Sequence, residues 1–182
     1  MFPRRLFTLL PCVLVLLLSM GCPKAPPDDD IVQEGEMEDG DDSFAAMEQR
    51  VLTLVNKERK RKKLVELKMD EKLRAVAVAH SKDMAVNNYF SHTNLAGLSP
   101  FDRMDAAGVT WKIAGENLAY NSNSNDPALT AVTSWINSPE HYENMLTKDY
   151  TLTGIGVGLG ENGIYFFTQV FVGTKVSEEP AG

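Results

Sequence analysis

Cysteine is scarce in this sequence, and both copies lie close to its beginning. They are Cys12 and Cys22, so residues 23–182 contain none. A domain formed by those residues cannot contain a disulfide, and its stability has to come from a packed core. A thiol nucleophile is excluded as well, because that chemistry requires a cysteine thiolate. The sequence therefore predicts a cysteine-free globular domain.

Complete catalytic signatures are also missing. Neither H-E-x-x-H nor G-x-S-x-G occurs in the chain. The inverted zinc pattern H-x-x-E-H fails because Asn137 stands where its first histidine would be, ahead of Glu140 and His141. The other two histidines are His80 and His92. No single motif therefore predicts an enzyme.

The first 21 residues have the pattern of an export signal. Arg4 and Arg5 precede an apolar run, "LFTLLPCVLVLLLSM", which is short and interrupted by Pro11. A membrane-spanning helix needs about 20 apolar residues, so residues 1–21 are predicted to be a signal peptide. Its "GC" ending resembles a bacterial lipoprotein signal, which implies a lipid on Cys22 and anchoring in the bacterial cell envelope, facing the periplasm or the surface. The alternative is an ordinary secretory signal followed by an incidental cysteine.

Residues 22–43 are predicted to be an acidic, disordered tether. Nine acids and one lysine lie between residues 23 and 43, and such a composition buries too little apolar surface to fold. The chain's net charge of -7 arises there, since residues 44–182 carry 15 Lys and Arg against 16 Asp and Glu. A folded domain over residues 44–174 and a flexible tail over 175–182 complete the predicted organisation.

A basic cluster, "KERKRKK", covers Lys57–Lys63. It could bind nucleic acid or anionic lipid. Six cations also suit a solvated last helical turn, where they face the negative end of the helix dipole. In a domain of balanced charge we favour the solvated turn and predict no nucleic-acid partner.

Periodicity predicts helices in the first two thirds of the domain and strands in the last. Cap residues predict where the helices begin, and these are Ser43, Asp70, Ser99, Asp126 and Ser138. His80 lies on the buried stripe of the second helix, which predicts a core histidine. "TLTGIGVGLG" alternates apolar residues with glycine, so a helix should approach its bare face closely. "ENG" predicts a tight hairpin turn, and "IYFFTQVFV" predicts a central strand. The predicted class is α+β, a three-layer α-β-α sandwich around a mainly antiparallel sheet.

Several separate segments together resemble the CAP superfamily (the SCP or cysteine-rich secretory protein domain) in its bacterial, cysteine-free form. They occur between about Val51 and Val172 and include "VNKERKRKKLVEL", "HTN", "GENLA", "WINSPEHYEN", "GIGVG" and "FTQVF". The resemblance implies an α-β-α sandwich with a cleft where distant histidines and glutamates converge. His92, Glu116 and His141 would line that cleft, with Ser138 nearby.

The same resemblance implies a possible zinc site and possible catalysis. His92 and His141 would be metal ligands, and Glu116, His92 and His141 are the candidate catalytic residues, since two imidazoles and a carboxylate suit zinc. The sequence departs from the family pattern at Ser138, where many relatives have glutamate. It departs again before Thr168, where aromatic residues replace a histidine. A full four-residue site is therefore absent from the sequence.

A structural role for these residues is the alternative. A histidine bonded to a buried glutamate can tie a loop to the sheet, because an unpaired buried carboxylate is costly. Trp135 is predicted to be a core residue, and Asn144 a hydrogen-bonding residue near a helix end.

Three functions are consistent with the sequence. The first is an extracytoplasmic binding module for a lipid or a cell-envelope polymer, and members of the CAP superfamily are associated with sterol and fatty-acid binding. The second is a metal-assisted hydrolase of peptide or peptidoglycan bonds, with Glu116 as general base. The third is a cell-surface interaction protein. The oligomeric state is left open by the sequence.

Overall fold

The computed structural model describes residues 41–175. The predicted signal peptide, Cys22, most of the predicted tether and residues 176–182 lie outside this range. The elements within it are α1 (Asp41–Arg61), β1 (Lys68–Met69), α2 (Glu71–Asn87), α3 (Pro100–Ala106), β2 (Ile113–Asn121), α4 (Pro127–Ile136), α5 (Pro139–Leu146), β3 (Leu152–Leu159) and β4 (Tyr165–Gly173), with a 3-10 turn at Glu161–Gly163.

The four strands form one sheet in the order β1-β3-β4-β2. Strand β4 pairs antiparallel with both β3 and β2, and β1 pairs parallel with β3. From Phe166 to Gly173 every residue of β4 is buried, so the predicted central strand is confirmed. Strand β2 forms one edge of the sheet, and the candidate site lies there.

Helices cover both faces of this sheet. On one face α1, α4 and α5 enclose a core that includes Val55, Trp135 and Phe171. On the other face α2 and α3 enclose a second core that includes Leu73 and Met104. The predicted α+β class and the three-layer α-β-α arrangement are confirmed.

Strand β3 presents its glycines to α2. A Cβ at Gly156 would lie 2.2 Å from the backbone nitrogen of Val78, and one at Gly154 would lie 2.0 Å from the carbonyl carbon of Leu73. Ser81 Oγ also donates a hydrogen bond to the carbonyl oxygen of Gly156 over 2.9 Å. The predicted close approach of a helix to the bare face is therefore confirmed, and α2 is fixed directly to the sheet backbone.

Three of the predicted helix caps are confirmed. Asp70 accepts hydrogen bonds from the first turn of α2, Ser99 forms a capping box with Asp102, and Asp126 accepts from Leu129. Ser138 occupies the cap position of α5, but its side chain makes no capping hydrogen bond to the described chain.

Two predicted boundaries differ from the structure. Helix α1 begins at Asp41, so both the cap at Ser43 and the extension of the tether to residue 43 are wrong; acidic residues suit the positive first turn of a helix. The predicted turn at "ENG" is confirmed in position, but the tight hairpin is wrong. Five residues separate the paired Leu159 and Tyr165, and the 3-10 turn fills that gap.

The basic cluster is only partly solvated. Arg59 is completely buried and donates hydrogen bonds to the carbonyl oxygens of Val65, Met145, Thr147 and Tyr150 at 2.8 to 3.0 Å. The prediction of a solvated turn is therefore wrong for Arg59, whose planar guanidinium holds the segments after α1 and α5 together. The other five cations of the cluster are exposed.

In the part of the chain that the structure describes, no helix combines the length and apolarity that crossing a membrane requires.

Candidate functional site

Glu116 is the buried centre of the candidate site. It lies on edge strand β2, and its side chain is only 2% exposed. A carboxylate at that depth needs partners, because an unpaired buried charge is strongly unfavourable. Two side chains supply them, one to each oxygen: His92 bonds Oε1 and Arg103 bonds Oε2.

His92 lies in the segment between α2 and α3, and its ring is half exposed. The distance from Nδ1 to Glu116 Oε1 is 2.8 Å. Because a carboxylate only accepts hydrogen bonds, we assign the proton to Nδ1 of the neutral ring. That tautomer places the lone pair on Nε2, which is the nitrogen that can meet a ligand or a proton.

Arg103 connects this segment to the sheet. Its Nη2 donates to Glu116 Oε2 over 2.6 Å, and its Nη1 donates to the carbonyl oxygens of His92 at 2.8 Å and Leu98 at 3.0 Å. Its side chain is 9% exposed. Arg103 was missed by the sequence reasoning, and no local signal marks it, since an arginine in a short, charged helix is usually solvated.

His141 approaches the site from the opposite layer. It lies in the first turn of α5, and its backbone oxygen accepts a hydrogen bond from Asn117 Nδ2 over 2.9 Å. Burial lowers the pKa of the half-buried His141 ring, a positive charge on His92 lowers it further when that ring is protonated, and Glu140 opposes both effects. The two histidines are therefore within electrostatic reach of each other, but the structure shows no hydrogen bond between the His141 ring and either His92 or Glu116.

The arrangement does not fit a three-ligand zinc site. Between residues 41 and 175, no group of three or more His, Cys, Asp or Glu side chains is placed to hold a metal ion. Both oxygens of Glu116 already accept a hydrogen bond, so this residue is better placed to orient His92 than to bind a metal ion. The same two bonds also occupy the oxygens that a general base would use. The zinc and catalytic roles of His92, Glu116 and His141, with Ser138 nearby, remain predictions.

Side chains from the opposite layer bond to the buried middle of β2. Asn144 Nδ2 donates to the Glu116 carbonyl oxygen at 3.3 Å and to Asn117 Oδ1 at 2.9 Å. Trp135, which is completely buried, donates from Nε1 to the Leu118 carbonyl oxygen over 2.9 Å. Trp135 is a core residue, as predicted, whereas the side chain of Asn144 bonds to β2 and not to a helix end.

An apolar cavity of about 390 Å³, shallow and widely open to solvent, adjoins Arg103 on the side of α2 and α3. Apart from Arg103, its lining consists of Ala75, Val76, Ala79, Leu98, Ala106 and Ala107. Small side chains on both helices leave this space open. An apolar cavity beside a buried polar network can accept a ligand that has an apolar chain and a polar end.

The fold and the site together define a class: an α-β-α sandwich whose edge strand bears a buried glutamate that orients a histidine. The family model for the cysteine-rich secretory protein family (CAP) matches residues 52–171. The chain belongs to that family, and the resemblance found in the sequence is confirmed.

Individual relatives agree with this assignment. The protein YkwD of Bacillus subtilis (strain 168) is 40% identical over 131 residues, which are 72% of this chain and 49% of YkwD. The crystal structure of an extracellular protein containing a SCP domain from Bacillus anthracis aligns with a TM-score of 0.61 and 35% identity, over 71% of this chain and 41% of that one. An outer surface protein of Borrelia burgdorferi has the same fold, with a TM-score of 0.64, 24% identity and coverage of 71% and 94%. This chain spans about half the length of the Bacillus relatives it matches.

Proposed function

We propose that this chain is an exported binding module whose ligand is a lipid with an acyl chain. The apolar cavity beside Arg103 is the observation that carries the proposal. At about 390 Å³ it falls within the range of roughly 300–1,000 Å³ for small-molecule pockets, and its lining is alanine, valine and leucine apart from that arginine. Burial of an acyl chain there releases about 0.8 kcal/mol per methylene group.

Export and anchoring through Cys22 are part of the same proposal. The "GC" ending of the predicted signal supports it, as does the similarity to an extracellular protein of Bacillus anthracis. A lipidated Cys22 would place the domain at a membrane, the source of the ligand. Intact mass of the protein from the membrane fraction tests the anchor. A lipid adduct that Cys22→Ala abolishes is expected, and an unmodified Cys22 contradicts the anchor alone.

Native mass spectrometry of the full chain, expressed with export and purified gently, tests the ligand. We expect a non-covalent lipid mass on the wild type and on His92→Ala, because the cavity is lined without His92. Ala75→Phe should lose that mass, since the new ring fills the cavity. Ala46→Phe on α1 is the matched control, because Ala46 is exposed and α1 covers the opposite face. An empty wild type, or equal retention by Ala75→Phe, overturns the lipid ligand.

A hydrolase is the second candidate, and the His92–Glu116 pair is the observation that favours it. A carboxylate that fixes a histidine tautomer and leaves Nε2 outward is an arrangement used for general bases. The test is the release of fragments from purified peptidoglycan by the wild type and by His92→Ala. Equal release by both proteins, or none by the wild type, removes this candidate.

A further inference from the structure

A second cavity, of about 510 Å³, lies between α2 and the loop at residues 94–98. Its lining includes Ala79, Leu95 and Ala96, but unlike that of the apolar cavity it also includes polar side chains from three parts of the chain. His80, Asp83 and Asn87 face it from α2, where their spacing of three and four residues places them on one side of the helix. Asn94 faces it from the loop, and Arg103 from α3.

Two buried nitrogens of this lining have no hydrogen-bond partner in the structure: His80 Nδ1 and Arg103 Nε. His80 is 1% exposed, and the Arg103 side chain is 9% exposed. A buried polar atom without a partner is unfavourable, because it has lost its bond to water. Both atoms belong to residues that line this cavity, but neither atom is itself exposed to it, so a ligand can supply the two partners only if the lining moves.

The two nitrogens require opposite partners. His80 Nε2 lies 3.0 Å from the carbonyl oxygen of Ser91 and so carries the proton, which leaves Nδ1 as an acceptor. Burial lowers the pKa of His80, and the charge of Arg103 adds to that effect, so the neutral ring is favoured although Glu116, the Ser91 bond and Asp83 oppose the shift. Arg103 Nε–H, in contrast, can only donate.

The charges of the lining narrow the choice of ligand further. Asp83 already accepts hydrogen bonds from Tyr89 and from Asn87, and its ionised carboxylate can accept more. An anion such as phosphate would satisfy Arg103 but would be repelled by the carboxylate of Asp83. An ammonium group would satisfy His80 and Asp83 but not Arg103. A hydroxyl group both donates and accepts, so several hydroxyl groups satisfy the whole lining.

We propose that this cavity is a binding site for a hydroxyl-rich ligand, a sugar unit of a cell-envelope glycan. The inference extends the proposed function and rests on its extracytoplasmic location. The two cavities share only Ala79 and Arg103 among their lining residues. Both unpartnered nitrogens are shielded from solvent, so a sugar hydroxyl reaches them as the loop at residues 94–98 shifts outward. Leu95 and Ala96 of that loop are exposed, so the shift breaks no buried apolar contact there, but it does break the hydrogen bond from Arg103 Nη1 to the Leu98 carbonyl oxygen.

Isothermal titration of the full chain, expressed with export, tests this site. The probes are N-acetylglucosamine tetramer and maltotetraose, with inorganic phosphate as the anion comparison. We expect at least one sugar to bind and phosphate not to bind. Ala96→Trp, which fills the cavity from the exposed loop, should weaken sugar binding at least tenfold, and Ala46→Trp on the opposite face should not.

Two further variants separate this site from the proposed function. His80→Phe keeps a ring of similar size but removes the acceptor, and it should weaken sugar binding about tenfold. Ala75→Phe should abolish lipid retention and leave sugar binding unchanged. Absence of binding by both sugars, preference for phosphate, or equal affinity in Ala96→Trp overturns the sugar site whether or not lipid is retained.

Discussion

Substitution of Glu116 by glutamine is expected to cost a large share of the domain's stability. The change preserves shape but removes the charge that compensates Arg103, and the two groups lie 2.6 Å apart at 2% and 9% exposure. Removal of one partner of a buried ion pair costs about 3–5 kcal/mol, because the other charge remains buried. The bond to the half-exposed His92 adds only about 0–1 kcal/mol. The free energy of unfolding of a natural domain is typically about 5–15 kcal/mol. Glu116→Gln should therefore remain folded, with a clearly reduced free energy of unfolding.

Urea unfolding followed by tryptophan fluorescence measures this cost, since Trp135 is completely buried next to β2. The control is the double variant Arg103→Met with Glu116→Gln. It leaves no uncompensated charge, so it should recover part of the loss, although it also removes the bonds from Arg103 Nη1 to His92 and Leu98. Comparison of the double variant with both single variants reports the coupling between the two side chains. A cost below about 1 kcal/mol for Glu116→Gln, or a double variant no more stable than the single one, refutes the ion pair as the tie between α3 and the sheet.

Two further predictions concern α2. Gly156→Ala should cost about 3 kcal/mol or more and lower Tm by roughly 10 °C, because its Cβ would lie 2.2 Å from a backbone atom of α2. The control is Gly108→Ala, where nothing lies within 4 Å but φ is +65°, and it should cost only about 1–2 kcal/mol. Equal losses of stability in scanning calorimetry contradict the close approach of α2 to Gly156. Burial lowers the pKa of His80 below its ordinary 6.5, so the unfolded chain binds a proton at a higher pH than the folded one. The contribution of His80 to the free energy of unfolding should therefore be fully present above about pH 6.5 and be lost as the pH falls below that value. In His80→Phe the free energy of unfolding should fall less steeply with decreasing pH. Urea titrations that show the same pH dependence for the two proteins contradict this prediction.

The layers of the fold could be predicted from the sequence because they depend on local patterns. Asp70 before an apolar helix, glycine at every second position of β3, and the apolar run of β4 each determine an element and the face it buries. Such signals act within a few residues. The buried position of His80 followed from helical spacing in the same way.

The bonds of the candidate site could not be predicted, because they join residues that are distant in sequence. His92 and Glu116 are 24 residues apart, and nothing in either segment sets the 2.8 Å contact between them. Arg103 and Arg59 illustrate the same limit, since a charged residue is usually exposed and only the folded chain shows the acceptors around it. The resemblance to the family indicated which residues converge, but not that Arg103 occupies the second oxygen of Glu116.

Strand β2 lies at the edge of the sheet, where unpaired backbone groups commonly recruit a strand from another molecule. The side chains of Asn144 and Trp135 already occupy the carbonyl oxygens of Glu116 and Leu118. A second copy therefore finds these acceptors taken along this part of the edge. The same contacts that brace the site thus act against strand-to-strand aggregation when many copies are crowded together.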